Sequence, residues 1–167
     1  NSGTGSIWHI AAGALEMKTG VKFTHVPFDG AAPAVAALMG GHLEAVTVSP
    51  TEVLAGVQSG EFRVLGVMSD QRSPIVPDVP TLAELGYEGV VIAAWGGFAA
   101  PKGMPPEVRE KLAGAIARAI QSPEFAEMAA ARGMTVAYLP GDEFYRFAKQ
   151  QYEMFSELIP AMGITQQ

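Results

Sequence analysis

The sequence predicts an α/β fold, a mainly parallel sheet flanked by helices, followed by a mostly helical C-terminal segment. Two observations carry this. Short apolar runs of strand character alternate with stretches of helical periodicity as far as Phe98, the pattern of a sheet with helices on its faces. From Pro105 onward the pattern turns almost wholly helical. The 19 glycines and 12 prolines are scattered evenly through the 167 residues, which suits the many turns such a fold needs.

The elements come in order along the chain. Ile7, Ile10, Ala11, Ala14 and Leu15 recur at helical spacing, and Gly20 stops that helix. Val21 to Val26 reads as a strand closed by Pro27-Phe28-Asp29-Gly30. Pro33 opens a short helix that ends at Gly40-Gly41, and Ala45 to Val48 forms the next strand. Pro50 begins a helix running to Ser59-Gly60, and Val64 to Met68 is a third strand. After a proline-rich connection, Thr81 and Glu84 have the spacing of a capping box for a short helix. Val90 to Phe98 is an apolar run of the kind found in buried strands. In the tail, Pro105-Pro106 opens a helix to Gln121, and Ser122-Pro123 caps another that ends at Gly133. Thr135 to Tyr138 makes a short strand, and Asp142 caps a last helix to Ile159.

Composition narrows the function. Hydrophobic residues make up 49% of the chain and charged ones 17%, enough apolar surface for a sizeable core. A net charge of −6 without clusters of lysine or arginine argues against nucleic acid or an anionic membrane surface as partner. Any anion site must then be local. The absence of cysteine excludes disulfides and thiolate metal sites. No signal peptide, membrane span or cofactor motif is visible.

The residues with most to say are Asn1-Ser2-Gly3-Thr4-Gly5-Ser6-Ile7-Trp8-His9. Gly3 and Gly5 let a ligand approach the main chain closely, while Ser2, Thr4 and Ser6 add short hydroxyls. The unpaired amides of the adjoining helix turn favour an anion there. Trp8 stands where a dinucleotide fingerprint needs its third glycine, and no Gly-Lys-Ser/Thr of a P-loop comes after it. The loop is therefore either a general anion cradle or a plain connection. It begins at residue 1 with no strand before it, so the chain reads as part of a larger protein.

His25 to Pro33 repeats the design of strand, glycine turn and helix start, with Asp29-Gly30 alternatively an ordinary β-turn corner. Ser49, at the end of the next strand, either caps its helix or offers a hydroxyl to the same cleft. The three histidines make no HExxH pattern. A Ser6–His25–Asp29 triad can be drawn, but no G-x-S-x-G elbow supports it, so no catalytic residue and no metal site is assigned.

Taken together these segments resemble the Bug-type (TctC-like) substrate-binding proteins of tripartite tricarboxylate transporters. The likeness covers nearly the whole chain. It runs in order through Ser2-Gly3-Thr4-Gly5-Ser6 with His9, His25-Val26-Pro27-Phe28-Asp29-Gly30-Ala31-Ala32-Pro33, Gly40-Gly41-His42, Arg63 to Val67, Arg72-Ser73-Pro74, Pro77-Asp78-Val79-Pro80-Thr81, Trp95-Gly96 and Ala100-Pro101-Lys102-Gly103. The resemblance implies a periplasmic-binding-protein-like fold whose two lobes close on a small carboxylate. Residues 1–98 would form the second, ligand-binding lobe. Residues 99–167 would belong to the first lobe, whose N-terminal part is missing, and the tail helices would carry an uncovered apolar face open to dimerisation.

It further implies a periplasmic, non-enzymatic receptor that works with inner-membrane transporter subunits. The ligand would be held by Ser2, Gly3, Thr4, Gly5, Ser6, His9, Phe28, Gly30, Ala31, Ala32 and Ser49. Phe28-Asp29 stands where the family commonly has Tyr-Lys, and Ser49-Pro50 where many members have Asp-Asn. An Asp29 facing the cleft would disfavour a second ligand carboxylate; one facing solvent would matter little. Two rivals remain from other classes. One is an α/β enzyme using the glycine loop for a phosphate or carboxylate substrate. The other is the effector-sensing domain of a transcription regulator, against which the lack of a basic DNA-binding segment weighs.

Overall fold

The computed structural model describes residues 1–132 and 134–163. Gly133, where the pattern predicts the second tail helix to end, lies outside them, as do residues 164–167. The described residues hold six helices: α1 (Ile7–Thr19), α2 (Ala31–Met39), α3 (Pro50–Gln58), α4 (Pro106–Ile120), α5 (Pro123–Ala131) and α6 (Gly141–Ala161). None is long and apolar enough to cross a membrane.

Local chemistry sets their ends. Ser6 caps α1 by accepting the His9 N–H at 3.2 Å, and Gly20 closes the helix through its N–H to the Glu16 carbonyl. At α3 the Glu52 carboxylate accepts the Ser49 N–H at 2.7 Å, and Pro50 fills the first helical position, where its missing N–H costs nothing. Ser122 accepts the Phe125 N–H at 3.1 Å to start α5. α2 begins at Ala31, two residues before Pro33, and α6 begins at Gly141 with Asp142 and Glu143 inside its first turn. Asp142 is thus a first-turn acid that complements the helix dipole rather than the cap.

The chain divides into two units, Asn1–Ala94 with Glu157–Gln167, and Trp95–Ser156. The first takes its core from Ile10, Ala11 and Ala12 of α1, Ala34 of α2, and Val67, Val76, Leu82, Val90 and Ile92 of the connecting segments. Small residues on α1 allow close approach; Met162 packs directly on Gly13. In the second unit α4 packs on α5, Ala129 is buried, and Trp95 meets the rings of Phe144 and Phe147 edge-on at 5.5 and 5.4 Å.

The mainly parallel sheet that the alternation predicts is not formed among the described residues. The segments 21–26, 45–48, 64–68, 90–98 and 135–138 have no strand assignment. One parallel bridge pairs Val67 with Thr81, through Val67 N–H to the Pro80 carbonyl and Leu82 N–H to the Val67 carbonyl, each at 3.0 Å. Ile92 adds a bond to the Met68 carbonyl at 3.0 Å. A ladder needs successive bonds to a neighbour, and these segments are joined only at single points. The capping box at Thr81 does form, with Thr81 N–H to Glu84 at 2.7 Å and Glu84 N–H to the Thr81 hydroxyl at 3.1 Å. It opens a run of turns rather than a helix.

Candidate ligand-binding site

The opening loop and the Pro27–Pro33 turn lie side by side. The Asn1 nitrogen donates to the Val26 carbonyl at 3.2 Å, and Phe28 N–H donates to the Asn1 carbonyl at 3.1 Å. Together they frame a concavity of about 480 Å³ lined by Gly3, Thr4, Pro27, Phe28, Asp29 and Pro33. Its walls are the loop that enters α1 and the turn that enters α2. Glycine is required at both. Gly3 has φ 120, and a Cβ there would stand 3.6 Å from the Phe28 carbonyl oxygen; Gly30 has φ 111 and ψ 176, a region that side-chain-bearing residues avoid.

The loop is internally bonded. Asn1 Oδ1 accepts the Gly3 N–H at 3.1 Å, Ser2 donates to the Ser6 hydroxyl at 3.4 Å, and His9 Nδ1 accepts the Gly5 N–H at 3.0 Å. In the second turn Gly30 N–H bonds back to the Phe28 carbonyl at 2.9 Å. Thus Gly3, Gly5 and Gly30, expected to present amides to a ligand, all have internal acceptors. Among the described residues, the amides of Thr4, Ala31 and Ala32 have no hydrogen-bond acceptor, and the Asp29 carboxylate has no hydrogen bond or ion pair.

His9 belongs to a small cluster. Its ring meets the His25 ring edge-on at 4.7 Å, and His25 Nε2 lies 3.2 Å from Glu16 Oε2. Glu16 Oε1 also accepts the Phe23 N–H at 2.6 Å. Burial lowers the His9 pKa; His25 pushes the same way, and Glu16 opposes them. The Phe23 amide, with help from His25 and Lys22, holds Glu16 below the usual carboxylate range. The drawn triad is not assembled around a nucleophile: Ser6 acts as a helix cap, and Asp29 sits in the concavity rather than against His25.

Of the residues expected at a site, Gly3, Thr4 and Phe28 line the concavity, while Ser2, Gly5, Ser6 and His9 form the bonded loop behind it. Ser49 does not line it; its N–H bonds Glu52 and its hydroxyl accepts from Thr51 at 3.0 Å. Sequence reasoning missed other contributors. Asn1 organises the loop, a role its position before a glycine turn announces. Pro27, Asp29 and Pro33 complete the lining; for Asp29, the sequence leaves cleft and solvent as open alternatives. The hydroxyl of Thr47 donates to the Trp8 carbonyl at 2.8 Å and ties the next segment to α1, a long-range contact that no local pattern encodes.

The concavity thus joins one hydroxyl, that of Thr4, to the two turns that lead into α1 and α2. The family model described as the tripartite tricarboxylate transporter family receptor, TctC, matches residues 1–164, and the chain belongs to that family. It is 33% identical over 159 residues to Protein BugT of Bordetella pertussis, covering 95% of this chain and 49% of that one. A TctC solute-binding protein from Polaromonas, solved with no ligand, superposes with a TM-score of 0.83 at 42% identity, covering 96% of this chain and 56% of that one. MatC from Rhodopseudomonas palustris, solved with bound malate, superposes at 0.76 with 26% identity, over 93% and 54% of the two chains. Another R. palustris protein, solved with adipate, gives 0.80 at 26%, over 96% and 54%. The fold is thus of the periplasmic-binding-protein type, and the chain spans about half the length of the relatives it matches.

Proposed function

We propose that the protein is an extracytoplasmic receptor that binds a small organic carboxylate and presents it to the membrane subunits of a tripartite transporter. The observation that carries this reading is the concavity between Gly3-Thr4 and Phe28–Pro33, with the unbonded amides of Thr4, Ala31 and Ala32 in the segments that form it. Amides at a helix start, here those of Ala31 and Ala32 in α2, stabilise a carboxylate without a lysine or arginine. The malate and adipate found in two structural neighbours are ligands of this chemistry.

In this reading residues 1–98 are one jaw of a two-lobed receptor, and their extended segments are the strands of its parallel sheet. Residues 99–167 contribute to the other lobe. Ligand would shift the population toward the closed form, which the membrane partner recognises. A thermal-shift screen of small carboxylates on the full-length gene product tests the reading, because a ligand that binds only the folded state raises the midpoint. At least one carboxylate is expected to do so. Stabilisation by neutral sugars or cations alone would remove the anion argument, and turnover of a bound acid would favour an enzyme.

A further inference from the structure

Among the described residues the concavity has one charged residue in its lining, and that residue is negative. Asp29 stands beside Phe28 and Pro33 in the wall, is exposed, and has no hydrogen bond or ion pair among the described residues. It also precedes the start of α2 without capping it, since no side-chain cap bond is made there. Among the described residues its carboxylate is therefore neither neutralised by a cation nor occupied by the backbone, and neither lysine nor arginine lines the cavity.

Two ends of the cradle then have opposite chemistry. The Gly3-Thr4 end offers a hydroxyl and a free amide and attracts an anion. The Asp29 side chain offers only acceptor oxygens, which satisfy a cation or a hydroxyl and repel a second carboxylate placed against it.

Resting on the carboxylate-receptor reading, we propose that Asp29 is a specificity-determining residue that selects an amino- or hydroxy-substituted monocarboxylate and rejects dicarboxylates. The substituent donates to Asp29 while the ligand's carboxylate sits at Thr4. This sets the chain apart from its neighbours solved with malate and adipate. Like charges repel, so a second ligand carboxylate brought against Asp29 weakens affinity by about tenfold.

The test is calorimetric titration of the full-length protein with two matched series at fixed pH and ionic strength: adipate, caproate and ε-aminocaproate, then succinate, butyrate and γ-aminobutyrate. In the wild type the amino acid of a series binds tightest and the diacid weakest. Asp29→Asn narrows that spread by about tenfold, and Asp29→Lys inverts it. Because Asp29 is exposed and unbonded, neither change threatens folding, and thermal midpoints should stay within about 1 °C. A diacid that binds tightest to the wild type, with ratios unchanged in Asp29→Asn, overturns the role of Asp29 and leaves the carboxylate receptor standing. Failure of every acid to bind wild type and variants alike overturns both.

Discussion

The backbone N–H of Gly5 donates to Nδ1 of His9 at 3.0 Å, so an amide expected to face a ligand is held by a side chain one turn into α1. Nδ1 accepts that bond only while it carries no proton. Burial and the neighbouring His25 favour that neutral form. The loop is thereby kept in shape by a group whose neutral form burial favours.

The first prediction concerns pH. A histidine whose folded pKa lies below its unfolded value binds fewer protons when folded, so stability is complete above the ordinary 6.5 and falls as pH drops through the folded value. Glu16 acts in the same direction at lower pH: its contribution is complete above 4.5 and is lost as pH falls through its lowered value. Thermal midpoints measured from about pH 8 to about pH 3 should decline in two stages. His9→Gln should flatten the upper stage alone, and Glu16→Gln the lower. A single stage unaffected by His9→Gln would remove the imidazole from the account.

The second concerns ligand contact. Thr4 is exposed in the lining of the concavity, so Thr4→Val removes a hydroxyl while keeping its shape. Loss of one hydrogen bond of ordinary net worth, about 1 kcal/mol, should weaken carboxylate binding about fivefold. The unliganded midpoint should hold, because the Thr4 hydroxyl makes no hydrogen bond among the described residues. Unchanged affinity would place the ligand away from Thr4.

These sites show what a sequence can disclose. Helix starts were legible because caps and prolines act within four residues: Ser6, Ser49-Pro50 and Ser122-Pro123 all stand where α1, α3 and α5 begin. The pairing of Asn1 with Val26 and Phe28, and of Thr47 with Trp8, depends on how distant segments meet. The occupation of the Gly5 amide by His9 was within local reach, since the two are one turn apart, but glycine loops are read for openness rather than for what fills them. The expected sheet is not formed among the described residues; apolar alternation reports a strand's side chains and says nothing of whether a neighbour supplies its ladder.

A third prediction separates two adjacent glycines. A Cβ built on Gly97 would collide with the Phe144 ring, which is itself wedged against Trp95, whereas one on Gly96 meets nothing within 4 Å. Gly97→Ala should destabilise by about 1–3 kcal/mol, and Gly96→Ala should stay within about 0.5 kcal/mol of wild type. Denaturant midpoints decide this. Equal effects would mean that the Trp95–Phe144–Phe147 cluster yields without cost.

The last prediction turns on two glycines with different reasons for positive φ. Gly20, at the end of α1, has φ 75 and ψ −3, the left-handed conformation that asparagine also tolerates. Gly30, at the start of α2, has φ 111 and ψ 176, where essentially only glycine is found. No atom lies within 4 Å of a Cβ at either position, so backbone strain alone distinguishes them. Asparagine at position 20 should cost under about 1 kcal/mol, and asparagine at position 30 about 1–3 kcal/mol. The second change should also weaken carboxylate binding, because relief of the strain rotates the peptide that leads into the Ala31 and Ala32 amides. Gly20→Asn should leave affinity unchanged, since Gly20 closes the far end of α1. Equal losses of stability at the two positions would show that the turn at Gly30 relaxes freely, and the cradle would then lack the rigid wall that the proposed carboxylate site requires.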